Sequence, residues 1–315
     1  MMPKVSVIIP TFNRREFLQS AIDSVLKQTF QDFEIIVVDD ASGEDVQGIV
    51  QGFCEERIKY IHHEINKGEA GARNTGLMHS KGEFIAFLDD DDEWFPDKLR
   101  LQMNVLENSP AHVGGIYSGY IAIDCANQKS HIRIPTKRGN IYRDLLVKNS
   151  VGTPSTVLIK RECIKSAGFF DEKICYGTDH DFYLRIARDF DFEFIAAPLI
   201  QYHIHDNRIS SNPEMITKGL EVMAHKYKEE LGELRHLRQR QIGLCYLSVG
   251  VQLCYKGDLK KGIRAFIKSI LLYPFEPRAY FNLGISLLGK SNFIRMRKVK
   301  DMLLAPLRAG RTIKL

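Results

Sequence analysis

Four consecutive aspartates, Asp89–Asp92, directly follow the apolar run "EFIAFL", which is typical of a buried strand. Adjacent carboxylates repel one another, so stability alone gives no reason for such a run. A divalent cation such as Mg²⁺ or Mn²⁺ prefers one or two carboxylates together with water and phosphate oxygens, and an Asp-x-Asp at a loop tip meets this preference. The other interpretation is a solvated acidic turn or the first turn of a helix, because "PDKL" follows and acidic side chains are favoured at helix N-termini.

Two more polar segments, Pro10–Asn13 and Asp39–Ser42, also follow apolar runs. The carboxyl ends of parallel strands meet at one edge of a sheet, and ligands bind there. The three segments are therefore expected to converge into one binding site. For Asp39 and Asp40 the alternative is a helix cap formed with Ser42.

Alternating strand and helix patterns over about the first hundred residues must position these segments. The pattern is mixed from about 110 to 215 and almost entirely helical from about 214 onward. We predict an α/β fold with a Rossmann-like, mixed but mostly parallel sheet flanked by helices, followed by an all-helical C-terminal region. The predicted strands are "KVSVIIPT", "FEIIVVDD", "RIKYIHH", "EFIAFLDD", "VGGIYSGYIAI", "STVLIK" and "FEFIAAP", and the predicted helices before the tail are "RREFLQSAIDSVLKQ", "EDVQGIVQGFCEE", "AGARNTGLMHS", "KRECIKSAG" and "DFYLRIARD".

The composition is that of an ordinary globular protein, with 315 residues, 44% hydrophobic and 26% charged. Six cysteines are scattered without a CxxC pair, which indicates reduced thiols and argues against a structural zinc site. The N-terminal segment lacks the pattern of a signal peptide, and no apolar run is long enough to cross a bilayer. We therefore expect a cytoplasmic protein.

The charge is unevenly distributed along the chain. The segment from Leu234 to Leu315 contains 17 Lys/Arg and 3 Asp/Glu, a balance of +14, so the net charge of +5 leaves −9 for residues 1–233. A basic amphipathic tail can lie on an anionic membrane surface, and a solvated tail or a contact between copies of the chain are the alternatives. Nucleic-acid binding is not expected, because no recognisable module is present. The basic tail residues are Lys290, Arg295, Arg297, Lys298, Lys300, Arg308, Arg311 and Lys314.

Residues 243–277 resemble a tetratricopeptide repeat. Gly250, Gly262, Phe266 and Pro274 fall near the expected positions, and a second repeat would place Gly284 34 residues after Gly250. An ordinary packed helical tail is the alternative.

Five motifs over residues 3 to about 210 resemble those of family-2 glycosyltransferases in both order and spacing. This resemblance implies the GT-A fold, a nucleotide-sugar donor, a divalent metal ion and inversion at the transferred sugar. The motifs are "KVSVIIPTFNR", "QTFQDFEIIVVDDAS", "NKGEAGARNTGL", "GEFIAFLDDDDEWFPDKL" and "GTDHDFYLRIA".

The resemblance implies a nucleotide site at the first two strand ends. Asp40 corresponds to the aspartate that contacts the base, and Asp39 is expected to support it. Pro10, Thr11 and Asn13 are expected to form the other wall of the site.

Arg73 is similar in position to a donor-binding residue of the family, with a surface ion pair as the alternative. Within the aspartate run, alignment makes Asp91 the metal ligand and Asp89 the first position of the Asp-x-Asp, and Asp90 is expected at the ribose or behind the metal. The register within the run stays open by one residue. His205 is the candidate for a third metal or phosphate contact, and His203 is expected to point away.

The resemblance places a catalytic base at Asp179, where the family usually has Glu-Asp and this chain has Thr178 before the aspartate. A carboxylate near the acceptor oxygen is useful because a sugar hydroxyl is a poor nucleophile at neutral pH. Helix capping is the alternative role for Asp179. Thr153, Ser155 and Asp171 are candidates for the acceptor side.

The sequence therefore predicts an inverting, metal-dependent glycosyltransferase that moves a sugar from a UDP-type donor to a saccharide or lipid-linked acceptor, in the synthesis of cell-surface polysaccharide. We predict a nucleotide-sugar half over residues 1–110, an acceptor half over 111–213 and a helical region over 214–315, through which oligomers could form. A sugar nucleotidyltransferase is the first alternative, although the glycine-rich loop of such enzymes is missing after the first strand. The second alternative is a catalytically silent module that binds nucleotide-sugar and recruits partners.

Overall fold

A computed structural model of the chain describes the backbone of residues 2–124, 129–205 and 212–309, and the side chains of these segments as far as residue 299. The chain forms two compact units, Met1–Arg208 and Ile209–Leu315. The finer division at residue 110 stays a prediction.

The first unit is built on one mixed sheet, which has nine strands in the described segments. The strand order is β3-β2-β1-β4-β8-β6-β9-β5, and β7 pairs with β6 outside this path. Strands β1 to β4 are parallel to one another, β6 is parallel to β9, and the other pairs are antiparallel. The strands are β1 (Val5–Thr11), β2 (Phe33–Asp39), β3 (Ile58–His62), β4 (Phe84–Phe87), β5 (Asp92–Trp94), β6 (Val113–Asp124), β7 (Lys129–Arg133), β8 (Val157–Lys160) and β9 (Asp191–Ile204).

Helices cover this sheet, which is why its central strands are continuous apolar runs. All seven residues of β1 are buried, and α1 turns Leu18, Ile22 and Val25 into the same core. A Cβ at Gly76 of α3 would lie 2.3 Å from Ile8 Cγ2, so this glycine allows α3 to pack closely on β1. The helices of this unit are α1 (Arg15–Leu26), α2 (Val46–Gly52), α3 (Gly68–His79), α4 (Lys98–Glu107), α5 (Tyr142–Val147), α6 (Arg161–Ala167) and α7 (Thr178–Ile186).

The strand pairing brings the three polar strand ends together. Thr11 of β1 pairs with Asp39 of β2, and the amide of Asp40 donates a hydrogen bond to the Thr11 carbonyl over 2.9 Å. On the other side of β1, the amide of Leu88 donates to the Ile8 carbonyl over 3.0 Å, which places the aspartate run beside the end of β1. The carboxyl edge of β1, β2 and β4 is therefore one continuous surface.

The aspartate run connects two strands and is not the start of a helix. Strand β4 ends at Phe87, Asp92 begins β5, and α4 begins only at Lys98. The first helical turn that the sequence allowed for this run is therefore absent. Strand β5 escaped prediction because it has three residues, and its pairing with β9 is a long-range contact.

Strand β9 is longer than predicted because it continues through Pro198. A proline cannot donate to a sheet, and β9 accommodates it at a register shift opposite Gly119 of β6. The extension carries β9 to Ile204 and so brings His203 and His205 towards the end of β5.

The second unit is helical in its described residues, as predicted. In this unit α9 packs against α10. A Cβ on Gly250 would lie 2.5 Å from the Phe266 ring, and a Cβ on Gly262 would lie 2.4 Å from Cys254 Sγ. These small residues allow two backbones to approach closely. The assignment to a tetratricopeptide repeat stays a prediction. The helices are α8 (Pro213–Lys226), α9 (Arg235–Lys256), α10 (Leu259–Leu272), α11 (Pro277–Ser286) and α12 (Lys290–Ala309).

Candidate active site

The four aspartates of the run have different partners, and Asp89 is held by Arg73. Arg73 Nη2 donates to Asp89 Oδ1 over 2.6 Å, and Thr153 Oγ1 donates to Asp89 Oδ2 over 3.0 Å. Arg73 also pairs with Glu69 one turn earlier in α3, and its side chain is only 1% exposed. Burial acts to lower the pKa of Arg73, but the Glu69 and Asp89 carboxylates outweigh it and the pKa is raised. The alternative of a surface ion pair therefore does not describe Arg73.

Asp90 and Asp91 share a second arginine. Arg14 Nη1 lies 2.9 Å from Asp90 Oδ1 and 2.9 Å from Asp91 Oδ2. Burial raises the pKa of Asp90 to about 7, with the nearby Asp91 charge adding to the increase and Arg14 opposing it. The two carboxylates are thus close enough to repel each other, and one cation lies against both.

Two histidines from the end of β9 also contact Asp91. His205 Nε2 lies 2.9 Å from Asp91 Oδ2, and the imidazole stacks on Phe17 with ring centroids 5.1 Å apart. His203 Nδ1 lies 2.8 Å from the Asp91 carbonyl oxygen. The expectation that His203 points away was wrong, because residues two apart on a strand share a face.

Asp92 stabilises the turn that the aspartate run forms between β4 and β5. Its side chain is buried and accepts a hydrogen bond from Ser155 Oγ over 2.6 Å. The same hydroxyl accepts from the amide of Asp89 over 3.1 Å, and the Ser155 carbonyl accepts from Trp94 Nε1 over 3.0 Å. Lys98 Nζ lies 3.9 Å from the centroid of the Trp94 ring, and burial lowers the pKa of this lysine well below its usual range. Ser155 therefore positions the aspartate run, although the sequence suggested it only for the acceptor side.

Asp40 is tied to the start of α3 by two backbone amides and also contacts an imidazole. Its carboxylate accepts from the amides of Lys67 and Gly68 over 2.8 Å each, and His63 Nδ1 lies 2.7 Å from Oδ1. Gly68 has φ of +78°, a conformation that a side chain would disfavour. The Asp40 carboxylate is buried, and three of its roughly four acceptor positions are in use.

The Asp39 carboxylate also has several hydrogen-bond partners. Its carboxylate accepts from the Ser42 amide over 2.9 Å and from Tyr60 OH over 2.7 Å, and His62 Nδ1 lies 3.1 Å away. Burial opposes ionisation of Asp39, but the hydrogen bonds from Ser42 and Tyr60 outweigh it and lower the pKa. The Ser42 contact forms a turn and not the helix cap considered above, since α2 begins at Val46 and Asp45 caps it.

Pro10, Thr11 and Asn13, which are expected to form a wall of the nucleotide site, lie at the end of β1 and in the loop after it. Pro10 and Thr11 are buried in β1, and Asn13 follows in a left-handed conformation with φ of 52°. Asn13 Oδ1 accepts from the Gly43 amide over 2.8 Å, and the Asn13 amide donates to Ser42 Oγ over 2.9 Å. These bonds connect the loop after β1 to the loop after β2.

Asp179 lies at the start of α7, in the electrostatic field of Arg73. Gly177 occupies the cap position, and the Asp179 carboxylate accepts a hydrogen bond from the backbone of His180 in the first turn, so the capping alternative stays open beside the role of a base. Asn149 Nδ2 donates to Asp179 Oδ2 over 2.9 Å. Burial raises the pKa of Asp179 to about 6, although the Arg73 charge opposes this. A carboxylate with such a pKa is mostly ionised at neutral pH and remains a useful base.

Two neighbours of Asp179 have structural partners. Asp181 is fully buried and accepts from Arg185 Nε over 2.9 Å, and His180 Nε2 lies 2.6 Å from the Leu145 carbonyl oxygen. The family motif and the local environment both therefore select Asp179 as the candidate base.

The donor atoms at the aspartate run suit a hard divalent cation, although a complete cage is not formed. No group of three or more His, Cys, Asp or Glu side chains is arranged for a metal ion within the described segments. Asp91 and His205 nevertheless present a carboxylate and an imidazole at the same point, a combination suited to Mn²⁺. Asp89 is directed to Arg73 and Thr153 instead. A site with few protein ligands fits ions that take their remaining ligands from water and phosphate.

The sequence did not predict several residues that hold the candidate site. Arg14 escaped because its partners lie 76 and 77 residues away. His62 and His63 could have been found, since they follow β3 as the aspartates follow β2 and β4. Asn149 gave no signal, because its contact with Asp179 is set by a loop.

Comparison with known proteins identifies the family to which the chain belongs. The family model for glycosyl transferase family 2 matches residues 6–167, about half of the chain, and the chain belongs to this family. The chain is 30% identical over 261 residues to the Escherichia coli protein named UDP-Glc:alpha-D-GlcNAc-diphosphoundecaprenol beta-1,3-glucosyltransferase WfgD, covering 82% of this chain and 97% of that protein.

Solved structures share the fold at low identity. Staphylococcus aureus TarS 1-349 in complex with UDP-GlcNAc superposes with a TM-score of 0.59 at 18% identity, covering 86% of this chain and 89% of that one. The mannosyltransferase PcManGT from Pyrobaculum calidifontis, in complex with GDP-Man and Mn²⁺, gives 0.57 at 18% identity, covering 98% and 87%. The GT-A fold and the assignment as a glycosyltransferase are thereby confirmed.

Proposed function

We propose that this glycosyltransferase is inverting and depends on a divalent metal ion, and that it moves a hexosyl or N-acetylhexosaminyl group from a UDP-sugar to a saccharide or lipid-linked acceptor in cell-surface polysaccharide synthesis. The observation that carries the proposal is the clustering of Asp89, Asp91 and Asp179 around two arginines at the carboxyl edge of the sheet. The name of the Escherichia coli relative, which specifies UDP-Glc and a diphosphoundecaprenol-linked acceptor, supports the donor and acceptor classes.

In this proposal the loops after β1 and β2 bind the nucleoside. Pro10, Thr11 and Asn13 form one wall, and Asp40 accepts from the base while Asp39 supports it. The fixed hydrogen bonds of Asp39 and Asp40 support this role, because a site organised before binding loses less entropy on binding.

Arg73, Asp89 and Asp90 belong to the ribose and phosphate part of the donor site. The guanidinium of Arg73 is aligned by Glu69 and Asp89. Such a cation offers several donors in a fixed plane, which matches the geometry of phosphate oxygens.

Asp91 and His205 would hold Mn²⁺ or Mg²⁺, and Asp89 would join them as a ligand by giving up its contact with Arg73 or Thr153. When bound, the ion supplies neutralising charge to the diphosphate as it leaves. The position of His205 beside Asp91 supports this assignment.

Asp179 is proposed as the base. Its carboxylate accepts the proton of the acceptor hydroxyl while that oxygen forms a bond to the anomeric carbon of the sugar. The bond from this carbon to the diphosphate oxygen breaks on the opposite face, its electron pair leaves with the nucleoside diphosphate, and the configuration is inverted. Asn149 orients the carboxylate through the bond to Oδ2.

The test is a product assay with the purified chain, a panel of UDP-, dTDP- and GDP-sugars and lipid-diphosphate acceptors, with and without Mn²⁺. Metal-dependent release of nucleoside diphosphate, together with a glycosylated acceptor of inverted configuration, is expected. Release of pyrophosphate from nucleoside triphosphate would indicate a nucleotidyltransferase. Binding of nucleotide-sugar without turnover over the whole panel would indicate a silent module.

We also propose that the basic tail contacts the anionic surface of a membrane, near lipid-linked acceptors. Lys290, Arg295 and Lys298 are exposed along α12 beside the half-exposed Met296 and Val299. Such a face combines electrostatic attraction with apolar contact. Lys300, Arg308, Arg311 and Lys314 lie outside the residues with described side chains. None of the helices in the described segments is long and apolar enough to span a bilayer.

Flotation with vesicles that contain anionic lipid tests this contact. Replacement of Lys290, Arg295 and Lys298 by serine is expected to reduce vesicle binding several-fold. Serine at three exposed lysines of the first unit, Lys27, Lys59 and Lys129, is the control of equal charge and should change it little. Equal binding by both triple variants would reject the tail contact, and a change in oligomeric state of the tail variant would favour a contact between copies.

A further inference from the structure

Arg14 takes no part in the roles assigned so far, although it lies at the centre of the candidate metal site. It immediately precedes α1, and its guanidinium crosses to the aspartate run, where Nη1 lies 2.9 Å from both Asp90 Oδ1 and Asp91 Oδ2. The side chain is 23% exposed, so the contact is at the margin of the buried region and open to exchange.

The contact has the electrostatic effect that a metal ion would have. Asp90 and Asp91 are both largely buried, and two neighbouring carboxylates in such surroundings need a cation to remain ionised together. A carboxylate oxygen has two lone pairs, and Asp91 Oδ2 already faces Arg14 and His205. A divalent ion that takes Asp91 Oδ2 as a ligand must therefore compete with Arg14 for this oxygen, and an ion at Oδ1 is still repelled by the Arg14 charge.

We propose that Arg14 is a tethered cation that competes with the divalent metal ion for Asp91, and that it thereby makes tight metal binding depend on the nucleoside diphosphate. The inference rests on the proposed metal-dependent function. Without nucleotide, Arg14 offsets part of the negative charge of Asp90 and Asp91 and the metal binds weakly. With nucleotide, the diphosphate adds negative charge that can accommodate both cations. By linkage, the metal then strengthens nucleotide binding by the same factor.

Calorimetric titration of the full chain with MnCl₂, without and with saturating UDP, tests the proposal. In the Arg14→Gln variant, which removes the charge and keeps much of the side-chain length, the affinity for Mn²⁺ without UDP should rise about tenfold. The gain in Mn²⁺ affinity that UDP produces should shrink by a similar factor. Neither measurement depends on catalytic activity.

The neighbouring Arg15 provides the matched control. Its side chain is exposed, and Arg15→Gln removes the same formal charge from the same segment, so its Mn²⁺ affinity should stay within about twofold of the wild type. The conservative Arg14→Lys variant keeps the cation and should bind Mn²⁺ much as the wild type does. A rise in affinity as large in Arg14→Lys or Arg15→Gln as in Arg14→Gln would overturn the proposal, as would no rise in Arg14→Gln.

Crystals of the wild type, grown with and without MnCl₂ and UDP, give a test that needs no variant. Arg14 should leave Asp91 when the metal is bound, and retention of both Arg14 contacts beside a metal on Asp91 would reject the competition. Absence of Mn²⁺ binding to both wild type and Arg14→Gln, even with UDP, would reject this inference and the proposed metal role together. Binding to the wild type without any effect of Arg14 would reject the inference alone.

Discussion

Two acidic strand ends lie on either side of β1 at the edge of the sheet, and their carboxylates are stabilised in different ways. After β2, Asp39 and Asp40 accept from backbone amides, a tyrosine hydroxyl and imidazoles. After β4, Asp89, Asp90 and Asp91 pair with two arginines. The first arrangement uses mainly backbone amides together with tyrosine and histidine side chains, and the second uses the guanidinium groups of two long side chains.

The difference indicates that the two strand ends have different functions. Backbone donors cannot leave without unfolding a loop, so Asp39 and Asp40 give the first strand end a fixed shape. Guanidinium groups on long side chains can exchange partners, so the second strand end can receive a ligand with its own charge. We therefore expect substitutions after β4 to affect mainly transfer, and those after β2 to affect stability in addition to binding of the nucleoside.

The largest effect is expected for Asp91→Asn. The change removes the charge that the proposed metal role requires, and transfer should fall about a thousandfold, in the range found when one charge-stabilising group is lost. The measurement is the rate of nucleoside diphosphate release with excess Mn²⁺. Asp97→Asn, in the loop before α4, is the control and should stay within about threefold of the wild type. An Asp91→Asn enzyme with wild-type turnover in the presence of chelator would remove the metal from the mechanism.

The Asp179→Asn variant is expected to transfer sugar a hundredfold or more slowly, because a positioned base contributes about 10²–10⁴-fold to the rate. Affinity for UDP should be unchanged, since Asp179 serves the acceptor. The pKa of Asp179 is raised to about 6, and only the ionised form accepts a proton. In the wild type, kcat/KM should therefore be high above pH 6 and decline as the pH falls through about 6. A flat profile between pH 5 and 8, or a variant with normal kcat, would assign the base elsewhere.

The sequence predicted the strand-end convergence because it follows from local patterns. Apolar runs mark β1, β2 and β4, and the rule that parallel strands end at one edge then places Thr11, Asp39 and Asp89 together. The partners of these residues were harder to predict. The contact of Arg14 with the run and that of Ser155 with Asp92 join segments more than sixty residues apart, and no periodicity encodes them.

A substitution in the loop after β2 should lower the free energy of unfolding more than a substitution in the loop after β4. Asp40→Asn places an amide NH₂ against backbone N–H donors, and a buried donor without an acceptor costs about 1–3 kcal/mol. Asp91→Asn should lower the free energy of unfolding by less than Asp40→Asn does, because Arg14 keeps Asp90 and the repulsion between neighbouring carboxylates is relieved. Urea unfolding measures both.

The matched control for Asp40→Asn is Asp45→Asn, at the cap of α2. The Asp45 side chain accepts from the Gly48 amide, and asparagine caps a helix about as well as aspartate, so stability should hardly change. If Asp91→Asn proves more destabilising than Asp40→Asn, the contrast between a fixed and an exchangeable strand end is wrong.

An effect of the opposite sign is expected for the stability of Asp179→Asn. The pKa of Asp179 is raised on folding, so the folded state holds its proton more tightly than the unfolded state does. The stability that protonated Asp179 contributes is complete below the unfolded pKa of about 4 and is lost as the pH rises through about 6. The neutral asparagine avoids this loss, so the variant should be more stable than the wild type at pH 8, by about 1–3 kcal/mol, and no more stable at pH 4. Thermal unfolding at the two pH values measures this difference, and an advantage equal at both would mean that the buried charge is not its cause.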